Sequence, residues 1–376
     1  AYLMPQTASG VRTDLAHVIE IQGGAKPDIQ ILEAEEGVPW SGHTARYAIG
    51  EIYEAIAAHR LSLVFVNTRM QAELLFQELW RVNGQNLPIA LHHGSLAAPQ
   101  RRKVESAMAA GQLKAVVATS TLDLGIDWGD VDLVIHVGAP KGASRLTQRI
   151  GRANHRLDEP SKAILVPGNR FELLECRAAL QAAEAGAQDA VLSRSGALDV
   201  LAQHVLGMAC QAPFDPDVLY DEVRTALPYA SLTRAHFDRV ISFVSTGGYA
   251  LKAYERFAKL RPAEGGKLRV ANARVAQQYR LNAGTIVDSP LIKVRLVSGG
   301  RRKSGAARTL QGGRMLGEVD EYFIEQLSPG TTFAFAGEVV RFEGLRDTEA
   351  FVSRTTAQDP MIPSYSGGKF PLSTHL

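Results

Sequence analysis

The stretch Leu63-Val64-Phe65-Val66-Asn67-Thr68-Arg69 runs from an apolar segment into polar residues, and it decides the fold prediction. We predict a short buried strand from Leu61 to Val66 and a helix from Arg69 to Val82. The helix has one apolar face, which is formed by Ala72, Leu75, Phe76 and Leu79. A buried strand that leads directly into an amphipathic helix is the repeating unit of a parallel α/β sheet.

The same alternation continues along the first half of the chain. Helices are predicted over residues 47–59, 69–82, 99–110 and 170–185, and strands over 61–66, 88–91, 114–119, 132–137 and 163–166. This pattern predicts an α/β domain with a doubly wound parallel sheet.

Composition limits the class of protein and the kinds of site. A chain of 376 residues with 45% hydrophobic content can bury two or three cores. Its net charge is only +2, so a nucleic-acid surface must be a local basic patch. Two cysteines, Cys176 and Cys210, are too few for a disulfide framework or a zinc site, and we expect no metal site. The sequence has no apolar run of membrane-spanning length and no signal peptide at its start, so we expect a cytoplasmic protein without a membrane partner.

Three polar clusters follow predicted strands. They are Asn67-Thr68-Arg69, His93-Gly94-Ser95 and Thr119-Ser120-Thr121. The carboxyl ends of parallel strands meet at one edge of the sheet, where ligands gather. Hydroxyl and amide side chains beside helix N-termini suit phosphate groups. The alternative is that Asn67, Thr68 and Ser120 only cap helices.

The segment Gln148-Arg149-Ile150-Gly151-Arg152-Ala153-Asn154-His155-Arg156 sets arginines about one helical turn apart. A guanidinium can pair with two phosphate oxygens and stabilise charge during phosphoryl transfer. A solvated basic helix is the alternative interpretation of this segment.

Together these stretches resemble a known family of motor proteins. In order and spacing, 63–69, 118–127 and 148–156 resemble motifs IV, V and VI in the second RecA-like domain of superfamily 2 helicases. The strings at 91–96 and 120–154 narrow the resemblance to the Lhr (large helicase-related) family, and within it to the ligase-associated DEXH-box helicases of bacteria. The resemblance covers the chain from about Pro39 to its end.

The resemblance implies a set of nucleotide-facing residues. In motif V these are Gly125 and Asp127, and in motif VI Gln148 and Arg152 reach the γ-phosphate of ATP. Arg149 and His155 lie in the same segment and are included as nucleotide-binding candidates. Many superfamily 2 motors have a second arginine three residues after the first. This chain has His155 there and Arg156 next to it, so Arg156 is the candidate for that role.

The resemblance also implies a single-stranded DNA track and a direction of movement. The residues expected to hold phosphates are Asn67, Thr68, Arg69, His93, Ser95, Thr119 and Ser120. The implied activity is ATP-driven 3′–5′ translocation with unwinding of duplex or DNA/RNA hybrid in DNA repair. DNA ligase and nuclease are the implied repair partners.

Two motifs of a complete motor do not occur in the sequence. It contains no Gly-Lys-Ser or Gly-Lys-Thr phosphate loop and no Asp-Glu-x-His. We therefore expect a piece of a longer helicase that alone neither binds ATP tightly nor hydrolyses it. ATP and Mg²⁺ would act only together with a first RecA-like domain.

The remaining residues divide into further predicted domains. We expect a linker at 1–45, the second RecA-like domain at 46–186, a winged helix at 187–278 and a β-rich Lhr-specific domain, cut short, at 279–376. The winged helix has helices predicted at 197–208, 216–227 and 232–246, then a hairpin of 249–256 with 267–270. The last domain has strands predicted at 285–287, 291–297, 317–318, 333–336 and 339–343, as in a small barrel or sandwich.

A basic loop in the last domain is a further candidate for DNA contact. Arg301, Arg302 and Lys303 lie among glycines and are expected to hold a phosphate backbone. A loop that merely keeps the domain soluble is the alternative.

Two other functions fit the same sequence. One is a non-catalytic module in which the winged helix and β domain bind DNA or a repair partner. The other is an RNA-directed helicase, because the sugar contacts that separate RNA from DNA cannot be deduced from one sequence.

Overall fold

The chain forms two compact units in a computed structural model. The model describes residues 6, 17, 19, 25–123, 131–154, 159–187, 189, 195–251, 253–254, 257–285, 291–297, 312–357 and 359–365. One unit comprises Gln22–Ala190 with Ser289–Leu376, and the other comprises Ala1–Ile21 with Val191–Asp288.

The larger unit begins with a six-stranded parallel sheet. Its elements are β1 (Asp28–Ile31), α1 (Ile49–Ala58), β2 (Ser62–Val66), α2 (Arg69–Val82), β3 (Ile89–His92), α3 (Ala98–Ala109), β4 (Ala115–Ala118), β5 (Leu133–Val137), α4 (Ala143–Ile150), β6 (Lys162–Val166) and α5 (Arg170–Glu184). The strand order is β1-β6-β5-β2-β4-β3, and every neighbouring pair is parallel. The predicted doubly wound α/β sheet is confirmed.

Both faces of this sheet are buried at its centre, which explains why the central strands β2 and β4 are largely apolar. On β2, Val64 and Val66 belong to one core cluster, and Leu63 and Phe65 belong to the cluster on the opposite face. Successive side chains of a strand point to opposite faces, so a strand covered on both sides has no polar alternation.

The segment predicted as a linker, residues 1–45, contains one strand of the sheet. Asp28–Ile31 forms β1 and pairs in parallel with β6 at the edge. An edge strand has only one neighbour and one well-buried face, so this short strand lacks the apolar run by which β2 was recognised.

The smaller unit contains helices and a short hairpin. Its elements are α6 (Leu198–Gln211), α7 (Pro216–Arg224), α8 (Arg234–Thr246), β7 (Leu260–Pro262), β8 (Leu268–Val270) and α9 (Ala273–Leu281). The three predicted helices are present. The hairpin pairs β7 with β8, so the second strand was predicted correctly, whereas the first lies at 260–262 and not at 249–256. Residues 249–251 form a short 3-10 turn that follows the left-handed Gly247 at the end of α8.

The last part of the chain returns to the larger unit as a second sheet. Its elements are β9 (Leu291–Val297), β10 (Gly312–Asp320), α10 (Glu321–Glu325), β11 (Thr332–Phe335), β12 (Glu338–Arg346) and β13 (Glu349–Arg354). The strand order is β10-β9-β13-β12-β11, with a parallel β9–β13 pair among antiparallel pairs.

This mixed sheet is a half-barrel. The predicted strand 291–297 matches β9. The predicted strands 317–318, 333–336 and 339–343 overlap β10, β11 and β12 in part. Strand β13 was not predicted. Most of the predicted strand 285–287 lies outside the described residues. Strand β13 is separated from β12 by only Asp347 and Thr348, and Asp347 has a φ of 52°. Without glycine at this turn, the sequence carried no strong hairpin signal.

The half-barrel is fastened to the parallel sheet through the buried carboxylate of Glu73 on α2. Glu73 is 0% exposed and accepts hydrogen bonds from the backbone N–H groups of Ala336 (2.7 Å) and Gly337 (3.0 Å). These residues form the tight turn between β11 and β12, with φ values of 56° and 75°. The turn leaves both N–H groups without a partner in the hairpin ladder, so the carboxylate satisfies them.

A second joint connects the strand β10 to the loop after β3. Glu318 N donates to Ser95 O at 2.8 Å, and Gly317 forms an isolated antiparallel bridge with Leu96. A Cβ atom at Gly317 would lie 2.1 Å from Ser95 O, so only glycine permits this approach.

We expect Glu73→Ala to destabilise the larger unit by about 3 kcal/mol, because two partly buried backbone N–H groups and the buried His93 lose their acceptor. The free energy of unfolding from urea titration measures this effect. The control is Glu78→Ala on the same helix, since Glu78 pairs with the largely exposed Arg46 and Arg81. Its loss should cost less than about 1 kcal/mol. Equal losses for the two variants would contradict the role of Glu73.

Candidate functional site

The three predicted polar clusters do lie at one edge of the parallel sheet. Asn67 follows β2, His93 follows β3 and Thr119 follows β4, and the three strands run in the same direction. The structure therefore brings them together as the topology predicted, at the carboxyl edge where α/β proteins bind ligands.

Asn67 and Thr68 both make internal hydrogen bonds at this edge. Thr68 caps α2 in a capping box, in which its Oγ1 accepts from Gln71 N at 3.1 Å and its N donates to Gln71 Oε1 at 3.1 Å. Asn67 Nδ2 donates to Ala139 O at 2.8 Å and so ties the loop after β2 to the loop after β5. The capping alternative thus describes Thr68 in this structure, while Asn67 links two loops.

Arg69 and Ser95 lie side by side. Arg69 Nη1 donates to Ser95 Oγ at 3.0 Å, and the guanidinium lies over the ring of Tyr365, 5.6 Å from its centroid. Burial and the neighbouring Glu73 raise the pKa of the Tyr365 phenol, so this ring stays neutral beside the cation. Arg69 is half-buried, and the hydrogen bond and the ring hold it at the edge.

His93 has a different position from the one expected of a phosphate contact. It is 0% exposed, its Nδ1 accepts from Ser95 N at 3.3 Å, and its Nε2 lies 3.0 Å from Glu73 Oε1. Because Nδ1 accepts, the proton is on Nε2 and is donated to Glu73. We therefore revise the expectation for His93: it connects Glu73 to the Ser95 backbone and does not face a ligand.

Thr119 and Ser120 differ in exposure. Thr119 is 7% exposed and precedes a short 3-10 turn without capping it through its side chain, whereas Ser120, the first residue of that turn, is exposed. Ser120 is thus the hydroxyl of this cluster that is open to a ligand. The next residue, Thr121, hydrogen-bonds His92 Nδ1 at 2.9 Å, a contact that the sequence analysis did not anticipate.

Arg149 is buried beneath the edge. It is 2% exposed, its Nε donates to Asp123 Oδ1 at 2.8 Å, its Nη1 donates to His136 Nε2 at 2.6 Å, and it stacks on Phe65 with 4.7 Å to the ring centroid. Its donors are directed into the protein in this structure, so we revise its expected role from nucleotide contact to support of α4. Asp123 and His136 were missed, although a histidine inside the apolar strand β5 was a signal of a buried polar network.

Gln148 and Arg152, by contrast, are accessible. Gln148 is exposed near the end of α4, and Arg152 is half-buried in the turn that follows. Arg152 Nη2 donates to the backbone O of Asp123 at 2.8 Å. The carboxylate of Asp123 thus holds Arg149 from below, while its carbonyl positions Arg152.

Several predicted residues lie outside the described part of the chain. These are Gly125, Asp127, His155, Arg156, Arg301, Arg302 and Lys303. Among the described residues, no group of three His, Cys, Asp or Glu side chains could hold a metal ion. Within the same residues, none of the helices has the length and apolar character required to span a bilayer.

The buried His136 predicts how stability depends on pH. Burial, then the adjacent Arg149 guanidinium, lower the pKa of His136 to about 3. The pKa of this histidine in the unfolded chain is about 6.5. Between pH values of about 3 and 6.5, the unfolded state therefore binds a proton that the folded state does not bind. Stability should therefore fall as the pH decreases below about 6.5, with a contribution of about 1.4 kcal/mol per pH unit from this residue.

Chemical denaturation at pH 7, 6 and 5 measures that slope. His136→Asn should flatten it, and the control His59→Asn, at a partly exposed histidine on the same unit, should leave it unchanged. Burial also lowers the pKa of His92, so part of the slope should remain in His136→Asn, and a slope as steep as that of the unchanged chain would contradict the assignment.

Comparisons with known proteins agree with this architecture. The winged-helix domain of large helicase-related proteins matches residues 181–362, and the helicase conserved C-terminal domain matches residues 47–156. The ATP-dependent helicase Lhr-Core protein 2 of Thermococcus barophilus is 35% identical over 326 residues, which cover 86% of this chain and 36% of that protein. The chain thus spans about a third of the length of the curated relatives it matches.

Two solved structures are similar to the chain. Mycobacterium smegmatis helicase Lhr, solved with single-stranded DNA and AMP-PNP, has a TM-score of 0.60 and 30% identity, over 82% of this chain and 38% of that one. The DUF1998 helicase MrfA, solved with DNA, has a TM-score of 0.62 at 16% identity, over 88% and 42% of the two chains, and shows the fold alone. The chain therefore belongs to the Lhr, or large helicase-related, family of superfamily 2 helicases.

Proposed function

We propose that this chain is the DNA-gripping second half of the motor of an ATP-dependent 3′–5′ DNA helicase that acts in DNA repair. The proposal rests on the difference in burial between neighbouring residues of one short segment. Arg149 is buried and held by Asp123, while Gln148 and Arg152 stay accessible beside it. A rigid support beneath two accessible donors suits a site that must place them accurately.

On this proposal, Gln148 and Arg152 face the γ-phosphate of ATP. A guanidinium pairs with phosphate oxygens and can stabilise the charge that builds during phosphoryl transfer. The hydrogen bond from Arg152 to Asp123 O already fixes one of its donors, so less side-chain freedom is lost when it meets the nucleotide. ATP would supply the free energy for movement along the strand.

The phosphate loop and the magnesium ligands would come from a first RecA-like domain. This sequence contains no Gly-Lys-Ser or Gly-Lys-Thr, so the cradle for the β-phosphate has no counterpart among its residues. Closure of the cleft between the two domains would bring Arg152 to the nucleotide and couple hydrolysis to movement.

The single-stranded DNA would run along the carboxyl edge past Arg69, Ser95 and Ser120. Arg69 supplies positive charge and Ser120 is exposed, while Ser95 is only 6% exposed and serves to hold Arg69, being itself held by Glu318. Contacts of this kind position a phosphate backbone and do not distinguish one base from another. The 3′–5′ direction and the place beside ligase or nuclease are supported by the sequence resemblance to ligase-associated helicases.

We expect the chain alone to hydrolyse ATP at no more than background rate with single-stranded DNA present. Addition of a separately made first RecA-like domain should produce DNA-stimulated hydrolysis, which a phosphate-release assay measures. An appreciable rate from the chain alone would contradict the proposal. Activity in neither case, with DNA binding retained, would favour the non-catalytic binding module.

In the reconstituted motor, Arg152→Ala should reduce turnover at least about a hundredfold, because the transition-state charge loses its guanidinium. DNA affinity should be unchanged. Arg177→Ala, which removes an exposed arginine on α5, serves as the matched control and should leave turnover intact. Loss of DNA binding by Arg152→Ala would contradict the division of labour between Arg152 and Arg69.

For the DNA track, Arg69→Ala should weaken binding of single-stranded oligonucleotides equally across sequences and reduce the salt slope by about 1. Fluorescence anisotropy at several salt concentrations measures both quantities. Lys103→Ala, which removes an exposed cation on α3, is the control for a general loss of charge. An unchanged salt slope for Arg69→Ala would exclude Arg69 from the track.

A further inference from the structure

A short strap, residues 38–43, lies across the carboxyl edge of the sheet near β6. Four donors from the main body hold its carbonyl oxygens. They are Arg170 Nε to Val38 O (3.1 Å), Arg170 N to Pro39 O (2.9 Å), Asn169 Nδ2 to Gly42 O (2.8 Å) and Gln71 Nε2 to His43 O (3.0 Å). The backbone of the strap is thus fixed by specific contacts to α5 and α2.

The strap holds Trp40 with most of its side chain in solvent. Trp40 is 68% exposed, although tryptophan is usually well buried. The guanidinium of Arg170 lies over the indole ring, 4.2 Å from the ring centroid, and its Nε is anchored on the strap itself. An indole paired with a cation in this way is a flat surface with positive charge beside it.

Further apolar surface extends from the same helix terminus. Phe171 and Leu174, three residues apart in the first turn of α5, are 68% and 63% exposed. Residues at this spacing lie on one face of a helix. An exposed aromatic surface next to a fixed guanidinium is the arrangement on which nucleic-acid bases stack.

The position of this surface favours the binding of a nucleotide and not of the DNA strand. Strand β6 is the neighbour of β5, and α4, which carries Gln148, follows β5. Lys141, just before α4, pairs with Glu175 on α5 at 3.4 Å, so the starts of the two helices are adjacent. The proposed DNA contacts follow β2, β3 and β4, which lie on the other side of β5.

We propose that Trp40 and Arg170 form a stacking platform for the base of the nucleotide that Gln148 and Arg152 reach at its γ-phosphate. This inference rests on the proposed function and adds a base-binding subsite to it. Phe171 would add exposed apolar surface beside the platform. A base stacks through its π face, so the platform would bind adenine without hydrogen bonds that read its edge.

Tryptophan fluorescence of the full chain tests the platform directly. The chain has three tryptophans, Trp40, Trp80 and Trp128. The variant W80F/W128F leaves Trp40 as the reporter. The matched control W40F/W128F leaves Trp80, which is 58% exposed on α2 and stacks on Phe76. Both proteins are titrated with millimolar ATP, with tripolyphosphate and with a single-stranded oligonucleotide, and circular dichroism checks that they are folded.

We expect ATP to quench Trp40 with saturation, tripolyphosphate to have no effect and Trp80 to be unchanged. Adding Arg170→Ala to the Trp40 reporter should raise the apparent Kd for ATP about threefold or more, because the cation no longer supports the stacked base. Equal quenching by tripolyphosphate, or no quenching by ATP, would overturn the proposal. Quenching by the oligonucleotide that ATP does not displace would also overturn it, and would assign the platform to DNA.

These binding results do not depend on turnover. If ATP quenches Trp40 but the reconstituted motor hydrolyses no ATP, then the proposed function fails and the base subsite remains. If the motor turns over without quenching of Trp40, then only the platform fails.

Discussion

The buried carboxylate of Glu73 is the contact on which the architecture of the larger unit depends. One side chain on α2 accepts hydrogen bonds from two backbone N–H groups of the half-barrel and from His93 at the edge of the parallel sheet. Burying a carboxylate is costly unless hydrogen bonds satisfy it, and here three donors do so. The half-barrel, whose turn at Ala336 lies 263 residues along the chain from Glu73, is therefore part of the same compact unit as the sheet.

This contact links the fold to the candidate DNA track. From Glu73, His93 leads to the backbone of Ser95, and Ser95 in turn orients Arg69. The opposite side of Ser95 is held by the half-barrel through Glu318. The half-barrel thus acts as a brace for residues that would hold a phosphate backbone. Packed networks of this kind place side chains more accurately than loops alone can.

The helices and strands with a strong local sequence pattern were predicted correctly. The strand and helix alternation around Leu63–Arg69 identified the parallel sheet, because strands buried on both faces are continuous apolar runs. It could not identify β1 at the sheet edge or β13 after a turn without glycine, because neither carries a strong local signal. The buried positions of His93 and Arg149 could not be predicted for a similar reason. His93 and Arg149 have the residue types of ligand contacts, but Glu73 and Asp123, from other parts of the chain, turn them inward.

We propose that single-stranded DNA follows the carboxyl edge of the parallel sheet. Photo-crosslinking with an oligonucleotide that carries iodouracil at successive positions, followed by peptide mass spectrometry, tests it most directly. We expect crosslinks to peptides that contain Arg69, Ser95 and Ser120. These crosslinks should disappear when unlabelled oligonucleotide competes. Crosslinks confined to α6–α9 would contradict the account, because the chain would then bind DNA as a winged-helix module without a motor track.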